Sequence, residues 1–194
     1  MKKYLFTILM LFILTIQAQI NNEHLEIGDD APNISGIDQN GQAINSDKIL
    51  RNDKILLVFY RGYWCPHCRK HLASLQENFK ALTDKGVYVI VVTPETIEKT
   101  QETSKKLNTG FSIVHDVDNK IMKDYKVAFE VNKENIPNYY SVVSKRVVAY
   151  NVENNNVLPV PATYLIDKNG KITYVQYDPN YKNRSDFNEI LESL

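Results

Sequence analysis

The stretch that decides the fold is ILLVFYRGYWCPHCRKHLASL, from Ile55 to Leu75, and it contains both cysteines of the 194-residue chain. It opens as an unbroken apolar run, which is typical of a strand that is buried on both faces of a sheet. After the second cysteine, apolar residues recur every three or four positions as far as Leu82, and Gly86 follows. This spacing predicts a helix that ends at the glycine.

A second apolar run, Val87 to Val92, follows that helix and completes a strand-helix-strand unit, which indicates an α/β fold with parallel strands. Farther along the chain, the segments ATYLID and KITYVQY predict two strands that are joined by a turn at residues 168–170. Between these regions a surface helix is predicted to end at Gly110. A last helix is predicted to begin at Ser185, which is its expected N-cap.

The N-terminus, MKKYLFTILMLFILTIQAQ, has two lysines, an apolar run and then small and polar residues, a pattern that is typical of a signal peptide. We predict cleavage after Ala18 or Gln19, so that residues 1–19 form the signal peptide. An uncleaved membrane anchor is the alternative, although the run is shorter than the ~20 residues that a spanning helix needs. We therefore expect a periplasmic or secreted protein, in a compartment where disulfides can form.

No internal repeat or low-complexity tract divides the rest of the chain, so residues 24–194 are predicted to form one domain. Residues from about 129 to 157 follow no clean period, and we interpret them as an insertion that is partly helical around 139–148. The chain has 23 basic and 23 acidic residues. Because the charges balance, neither nucleic acid nor, after signal cleavage, a membrane surface is an expected partner.

The cysteine pair lies at the predicted junction of strand and helix. Pro66 suits the first helical position, where its missing N–H is no loss, and this places Cys65 at the N-cap. Unpaired N–H groups and the helix dipole favour a thiolate there, and a protonated His67 adds to the effect. We predict that Cys65 has a lowered pKa, is exposed and attacks the substrate. Cys68 is expected to face inward and to resolve the mixed disulfide.

Two other interpretations of the pair are open at this point. A Cys-x-x-Cys pair can bind zinc, but a structural zinc site needs further ligands and the chain has no other cysteine. An inert structural disulfide is possible as well, although so short a loop restrains the unfolded chain only weakly. We expect no metal and no other cofactor, and we interpret His71 and His115 as structural residues.

A second part of the site is predicted at LPVPATYLID, where Pro161 immediately precedes a strand. A proline at this place can hold a cis peptide bond, and we predict one between Val160 and Pro161. In a sheet of the thioredoxin type this loop packs against the cysteine pair and leaves the backbone of Val160 free to pair with a substrate segment. An ordinary proline at the edge of a sheet is the alternative.

These segments together resemble a known family. The segments IGDDAPNISGIDQNGQAI, FYRGYWCPHC with Trp64 before the pair, VIVVTPE, LPVPATYLIDKNGKITY and DPNYKNRSDFNEIL are similar to the alkyl hydroperoxide reductase/thiol-specific antioxidant family. The resemblance is to its peroxiredoxin-like branch with a W-C-P-x-C motif, and it covers roughly residues 27–194. It implies a thioredoxin-like fold, with a central mixed sheet flanked by helices and the insertion before the proline strand. It also implies a cysteine-dependent antioxidant oxidoreductase that draws electrons from a thioredoxin-like donor.

The sequence departs from typical peroxiredoxins at two positions. Their T-x-x-C pattern would put the peroxidatic cysteine at Cys68 and a threonine at Cys65, and their arginine near the late strand is replaced by Pro161. Arg61 is a candidate to supply the missing guanidinium. These departures leave three functions open: reduction of peroxides, exchange of protein disulfides by a periplasmic oxidoreductase and, from a different class, copper transport by a thioredoxin-fold carrier.

Overall fold

The computed structural model describes residues 24–151 and 156–194. The predicted signal peptide lies outside the described residues. The strands are β1 (Ser35–Asp38), β2 (Ala43–Asn45), β3 (Lys54–Phe59), β4 (Val87–Thr93), β5 (Ser112–His115), β6 (Ala128–Glu130), β7 (Val157–Pro159), β8 (Ala162–Ile166) and β9 (Ile172–Tyr177). The α-helices are α1 (Ser46–Ile49), α2 (Pro66–Asp84), α3 (Ile97–Leu107), α4 (Lys120–Asp124), α5 (Tyr140–Tyr150) and α6 (Phe187–Glu192). None of these helices is long and apolar enough to cross a membrane.

A seven-stranded mixed sheet with the order β2-β1-β5-β4-β3-β8-β9 forms the centre of the molecule. Strands β3, β4 and β5 are mutually parallel, β8 runs antiparallel to β3, and β9 runs antiparallel to β8 at the edge of the sheet. The predicted strand-helix-strand unit and the predicted hairpin are therefore confirmed. Because β8 begins opposite the last residue of β3, the start of one strand lies at the same end of the sheet as the carboxyl end of the other.

Two apolar layers cover the faces of the sheet. One is centred on side chains of β3 and β8 and on the tyrosines Tyr125 and Tyr164. The other packs α2 and α6 against the opposite face, and both cysteines belong to it. Strand β3 contributes alternate residues to the two layers, as expected for a strand that is buried on both faces. The unbroken apolar run that begins at Ile55 thus belongs to an interior strand, between β4 and β8.

Two helix boundaries differ from the predictions. Helix α3 ends at Asn108, whose left-handed backbone (φ 49°) serves the purpose that was expected of Gly110. Helix α6 is capped by Asp186, whose carboxylate accepts a hydrogen bond from the N–H of Asn188, and not by Ser185. The hydroxyl of Ser185 instead contacts the buried side chains of Thr163 and His71.

The segment interpreted as an insertion forms a small unit beside the main sheet. Strands β6 and β7 pair antiparallel, and α5 confirms the predicted helical part. Apolar side chains of this unit form a third cluster, against which Trp64 packs. The unit is also joined to the loop after β4, because Glu95 pairs with Asn151 and the N–H of Thr96 donates to the carbonyl of Tyr150. This unit therefore adjoins the loop that carries the cysteines.

The predicted cis bond before Pro161 is wrong, because no described residue follows a cis peptide bond. Pro161 lies just before β8, where no ladder hydrogen bond needs an N–H, and its carbonyl accepts from Asp178. A trans bond therefore satisfies the backbone. The N–H of Val160 is not free either, since it donates to the carbonyl of Val127 at 2.7 Å. The backbone N–H that was expected to bind a substrate segment is thus already paired within the protein.

Candidate active site

Cys65 lies between the carboxyl end of β3 and the start of α2, where it is the N-cap residue with an extended backbone. Pro66 follows at the first helical position, as predicted. Cys68 lies about one turn farther along α2 and faces the apolar layer that also holds Leu72 and Leu75. The sequence therefore places the two sulfurs on one helix start, with Cys68 toward the core.

Both cysteines are buried free thiols, and this corrects the expectation that Cys65 is exposed. The exposed fraction is 1% for Cys65 and 0% for Cys68. The cover over Cys65 comes from Arg61, which is itself only 5% exposed, and from the ring of Tyr181 that lies over the arginine. The burial of Cys65 could not be predicted from the local sequence, because Tyr181 belongs to a loop more than 100 residues farther along the chain.

Arg61 binds the sulfur of Cys65 directly. Its Nη2 atom donates to Cys65 Sγ at 3.2 Å. The guanidinium lies 4.2 Å from the ring centre of Tyr181 and 5.6 Å from that of Trp64, within the range of cation–π contacts. Its Nε atom and the buried indole Nε1 of Trp64 have no hydrogen-bond partner in the described part of the protein. Of these two buried donors, only the arginine belongs to a residue that lines a cavity.

The two thiols differ in their acidity. The pKa of Cys65 is lowered, first by the hydrogen bond that it receives from Cys68 and then by the positive charge of Arg61, and these effects outweigh the burial that opposes them. The pKa of Cys68 is raised, mainly because burial penalises its charged form. At neutral pH the thiolate therefore resides on Cys65, and Cys68 carries the proton that binds it.

His67 does not have the place that the sequence suggested. Its ring packs edge-to-face against Tyr181, with 5.5 Å between the ring centres. The interactions that lower the Cys65 pKa most come from Cys68 and Arg61. The positive charge that the sequence analysis assigned to the histidine is therefore supplied by the arginine, which was considered there only as a replacement for the missing family arginine.

The loop of residues 178–185, which we call the strap, crosses the site. Its Tyr181 covers Arg61, and Nη2 of its Arg184 lies 3.6 Å from Cys68 Sγ. Its last residue, Ser185, contacts the hydroxyl of Thr163 at 2.9 Å and Nε2 of His71 at 3.0 Å. The strap thus brings one arginine to the second sulfur, and the sequence analysis missed this residue because the segment reads as a polar surface loop.

Both histidines that were interpreted as structural residues make buried or backbone contacts. His71 stacks on Phe187 at 4.7 Å between ring centres, and burial lowers the pKa of its ring to about 3. The ring is therefore neutral under physiological conditions. His115 contacts the backbone carbonyl of Glu95 through Nδ1 at 2.7 Å. Within the described ranges, no group of three or more His, Cys, Asp or Glu side chains is arranged to hold a metal ion.

A buried carboxyl group supports the cysteine loop and was also missed. Glu95 is fully buried just after β4, and it accepts hydrogen bonds from the hydroxyl of Tyr60 at 2.8 Å and from the N–H of Tyr63 at 3.0 Å. Burial raises the pKa of Glu95 to about 7. A side chain at Gly62 would collide with Glu95 and with Trp64, so the tight loop requires glycine there.

An apolar pocket of about 240 Å³ adjoins Arg61. Its walls come from the segment interpreted as an insertion, from the turn before β8 and from the strap, and they include Phe129, Ile136, Tyr139, Val160, Pro161, Pro179 and Tyr181. We call this cavity the apolar pocket. Val160 and Pro161 therefore reach the site as pocket walls beside Arg61, near the loop that carries the cysteines.

Comparison with known proteins gives the class. The family model described as the AhpC/TSA family matches residues 27–175. The chain is 25% identical over 170 residues to peroxiredoxin Q of Oryza sativa subsp. japonica, covering 86% of this chain and 67% of the relative. It is 26% identical over 151 residues to the thiol-disulfide oxidoreductase ResA of Bacillus thuringiensis subsp. konkukian, covering 77% and 69%. The crystal structure of peroxidoxin BcpB from Mycobacterium tuberculosis superposes with a TM-score of 0.66 at 14% identity, covering 88% and 96%.

The fold and the cysteine site together define a thiol-dependent oxidoreductase with a thioredoxin-like fold. The chain belongs to the AhpC/TSA family. The resemblance that was derived from the sequence segments is therefore confirmed, as is the predicted fold class.

We predict that Arg61→Met raises the pKa of Cys65 by about one unit or more, because a positive charge in contact with a thiolate shifts its pKa by roughly this amount. The measurement is the ultraviolet absorbance of the thiolate against pH, in a Cys68→Ser background that leaves a single thiol. His67→Asn is the matched control and should shift the pKa less. An equal or larger shift for His67→Asn would contradict the assignment of the charge to Arg61.

We predict that Glu95 makes the folded state less stable as pH rises. The pKa of Glu95 is about 7 in the folded protein, above its ordinary value of 4.5, so its contribution is fully present below pH 4.5 and is lost as pH rises through 7. Relative to the wild type, Glu95→Gln should gain up to roughly 3 kcal/mol in the free energy of unfolding between these pH values. Urea denaturation measures this difference. The exposed Glu98→Gln variant is the control, and a constant difference for Glu95→Gln would refute the prediction.

Proposed function

We propose that this protein reduces hydroperoxides at Cys65 and that Cys68 resolves the oxidised product. The observation that carries the proposal is the contact of Arg61 with Cys65 Sγ at 3.2 Å, beside two buried donors that have no partner among the described residues. A thiolate is the nucleophilic form of cysteine, and Arg61 and Cys68 favour it at Cys65. A peroxide brings the oxygen acceptors that the free donors lack.

In the first step the Cys65 thiolate attacks one oxygen of the hydroperoxide. A sulfur–oxygen bond forms, the oxygen–oxygen bond breaks, and the electron pair leaves on the second oxygen, which takes up a proton to become an alcohol or water. Cys65 becomes a sulfenic acid. We propose that Nε of Arg61, which has no hydrogen-bond partner among the described residues, donates to a peroxide oxygen, since such a donor stabilises the negative charge that develops on the leaving oxygen.

In the second step the sulfur of Cys68 attacks the sulfenic sulfur of Cys65. A disulfide forms and water leaves, with the proton supplied by the Cys68 thiol. The helical spacing of the pair keeps both sulfurs at one helix start, so the step needs no partner chain. The order of attack follows from the acidities, since burial holds the proton on Cys68 and the charge on Cys65. This order reverses the role that the T-x-x-C pattern of the family would give to Cys68.

Reduction of the disulfide needs two electrons from outside the chain. We propose a thioredoxin-like dithiol protein as their source. The resemblance to the family implies this class of donor. Two relatives support a dithiol or disulfide partner of some kind, since one is a peroxiredoxin and another is a thiol-disulfide oxidoreductase. The donor step closes the cycle, because it returns both cysteines to free thiols.

Exchange of protein disulfides is the second candidate function. The similarity to the thiol-disulfide oxidoreductase ResA of Bacillus thuringiensis favours it. A protein substrate would dock along the backbone of Val160 in the arrangement expected from the sequence. Here the N–H of Val160 already binds Val127, and the adjoining space is a small apolar pocket. The peroxide function therefore fits the geometry of this site better.

We also propose that the protein is exported to the periplasm or secreted, as the N-terminal pattern of lysines, apolar run and small residues suggests. An oxidising compartment would allow the Cys65–Cys68 disulfide to persist between turnovers.

The peroxide function is tested by single turnovers of the reduced protein with hydrogen peroxide, an organic hydroperoxide and a protein disulfide, followed by mass spectrometry. Cys65→Ser should abolish peroxide consumption. Cys68→Ser should stop at a sulfenic acid on Cys65, because the resolving sulfur is missing. Sulfenic acid on Cys68 of the Cys65→Ser variant, with wild-type consumption rates, would reverse the roles. A faster reaction with the protein disulfide than with both peroxides would favour the second function.

Export predicts a shortened chain. The protein recovered from the periplasm or medium of a producing bacterium should begin at Gln19 or Ile20, as read from the mass of the intact chain. A chain that retains Met1 in the membrane fraction would instead support the anchor alternative.

A further inference from the structure

A second groove adjoins the cysteine pair and shares the strap, but no lining residue, with the apolar pocket. It has a volume of about 700 Å³ and lies between the first turns of α2 and the end of the strap. Its charged walls are Lys70, Lys182, Arg184 and Asp186, and His67 lines it as well. We call it the basic groove. None of the residues that line the basic groove takes part in the proposed reaction with peroxide.

The basic groove is positively charged although the whole chain is neutral. Three of its lining residues are Lys or Arg and one is an Asp, so these four side chains carry a formal charge of plus two. The acid, Asp186, is engaged as the cap of α6, where Oδ1 accepts the N–H of Asn188. Asp178 acts on Arg184 from outside the lining and binds the amide of Asn183. The groove therefore presents cations to solvent and few free carboxylates.

One wall of the groove contacts one sulfur in particular. Arg184 lines it and also contacts Cys68 Sγ at 3.6 Å. Cys65 is instead bordered by Arg61, which lines the apolar pocket. Each sulfur thus contacts a different arginine, and the two arginines line different cavities. The strap separates the two approaches, since Tyr181 belongs to one cavity and Arg184 to the other.

Disulfide chemistry favours attack from the side of the groove. In thiol-disulfide exchange the thiol with the lower pKa is the better leaving group. The incoming thiolate therefore attacks the other sulfur of the disulfide. In the Cys65–Cys68 disulfide the better leaving sulfur is Cys65, because Arg61 stabilises its thiolate. The incoming thiolate therefore reacts at Cys68. It carries a negative charge, and a basic surface raises the local concentration of such a nucleophile.

We propose that the basic groove is the docking site of the electron donor, and that this donor is a thiol protein with carboxylates around its reacting cysteine. The inference rests on the proposed function. The donor thiolate forms a disulfide with Cys68, the Cys65–Cys68 bond breaks, and the electron pair leaves on Cys65. A second donor thiol then attacks the mixed disulfide and releases Cys68, which takes up a proton. The donor leaves as a disulfide.

The test uses the full chain, oxidised to the Cys65–Cys68 disulfide with diamide, and three peptides whose single cysteine is flanked by Glu, Gln or Lys. The measured quantity is the second-order rate of disulfide reduction, read by mass after alkylation and divided by the thiolate fraction of each peptide. The Glu peptide should react about tenfold faster than the Lys peptide at about 0.01 M salt, where charges act over ~30 Å. The ratio should fall toward one at about 1 M salt.

The double variant Lys70→Gln/Lys182→Gln should lose most of this preference for the Glu peptide. Both lysines are exposed, so the change does not disturb the core. The matched control is Lys48→Gln/Lys168→Gln, which removes the same charge at the other end of the sheet, near the start of β3 and the end of β8. The control should keep the wild-type ratio.

Equal rates for the three peptides, or an equal loss in both double variants, would overturn the inference. A mixed disulfide trapped on Cys65 instead of Cys68 would overturn the assigned point of attack. If no Cys65–Cys68 disulfide forms with diamide or with peroxide, the proposed function fails first, and that failure is visible before any peptide is added.

Discussion

The contact between Arg61 and the sulfur of Cys65 is the interaction on which the rest of the site depends. A buried thiolate is costly unless a positive charge compensates it, and a buried guanidinium is equally costly without an anion. Arg61 and Cys65 meet this condition for each other at the start of α2. Tyr181 and Trp64 then cover the pair and keep water from weakening the attraction.

Much of the surrounding architecture holds this pair in place. Glu95 ties the cysteine loop to the end of β4, and the segment of residues 129–157 packs its third apolar cluster against Trp64. The contacts of Ser185 with Thr163 and His71 hold the end of the strap against β8 and α2. Three parts of the chain that are distant in sequence therefore meet at one helix start, where local backbone geometry alone would leave Cys65 open to solvent.

The sequence was sufficient for much of what depends on neighbouring residues, although the caps of α3 and α6 lie at other residues than expected. The strand into α2, Pro66 at the first helical position, the inward face of Cys68 and the family all follow from local spacing or from motifs. Glu95 and Arg184 did not follow, because their roles depend on burial and on contacts across 30 to 120 residues. The expected exposure of Cys65 was wrong for the same reason, since Arg61 and the distant Tyr181 cover it. The cis bond before Pro161 was wrong as well.

Trp64 is the only tryptophan of the chain, and it immediately precedes Cys65 at the boundary of two apolar clusters. The intrinsic fluorescence of the folded protein at the red edge of aromatic absorption therefore originates beside the cysteine pair. The indole lies 5.6 Å from the Arg61 guanidinium, so the field at the ring changes whenever the charge on the adjacent sulfur is gained or lost. The protein thus contains its own optical reporter of the charge on Cys65, and following it requires no label.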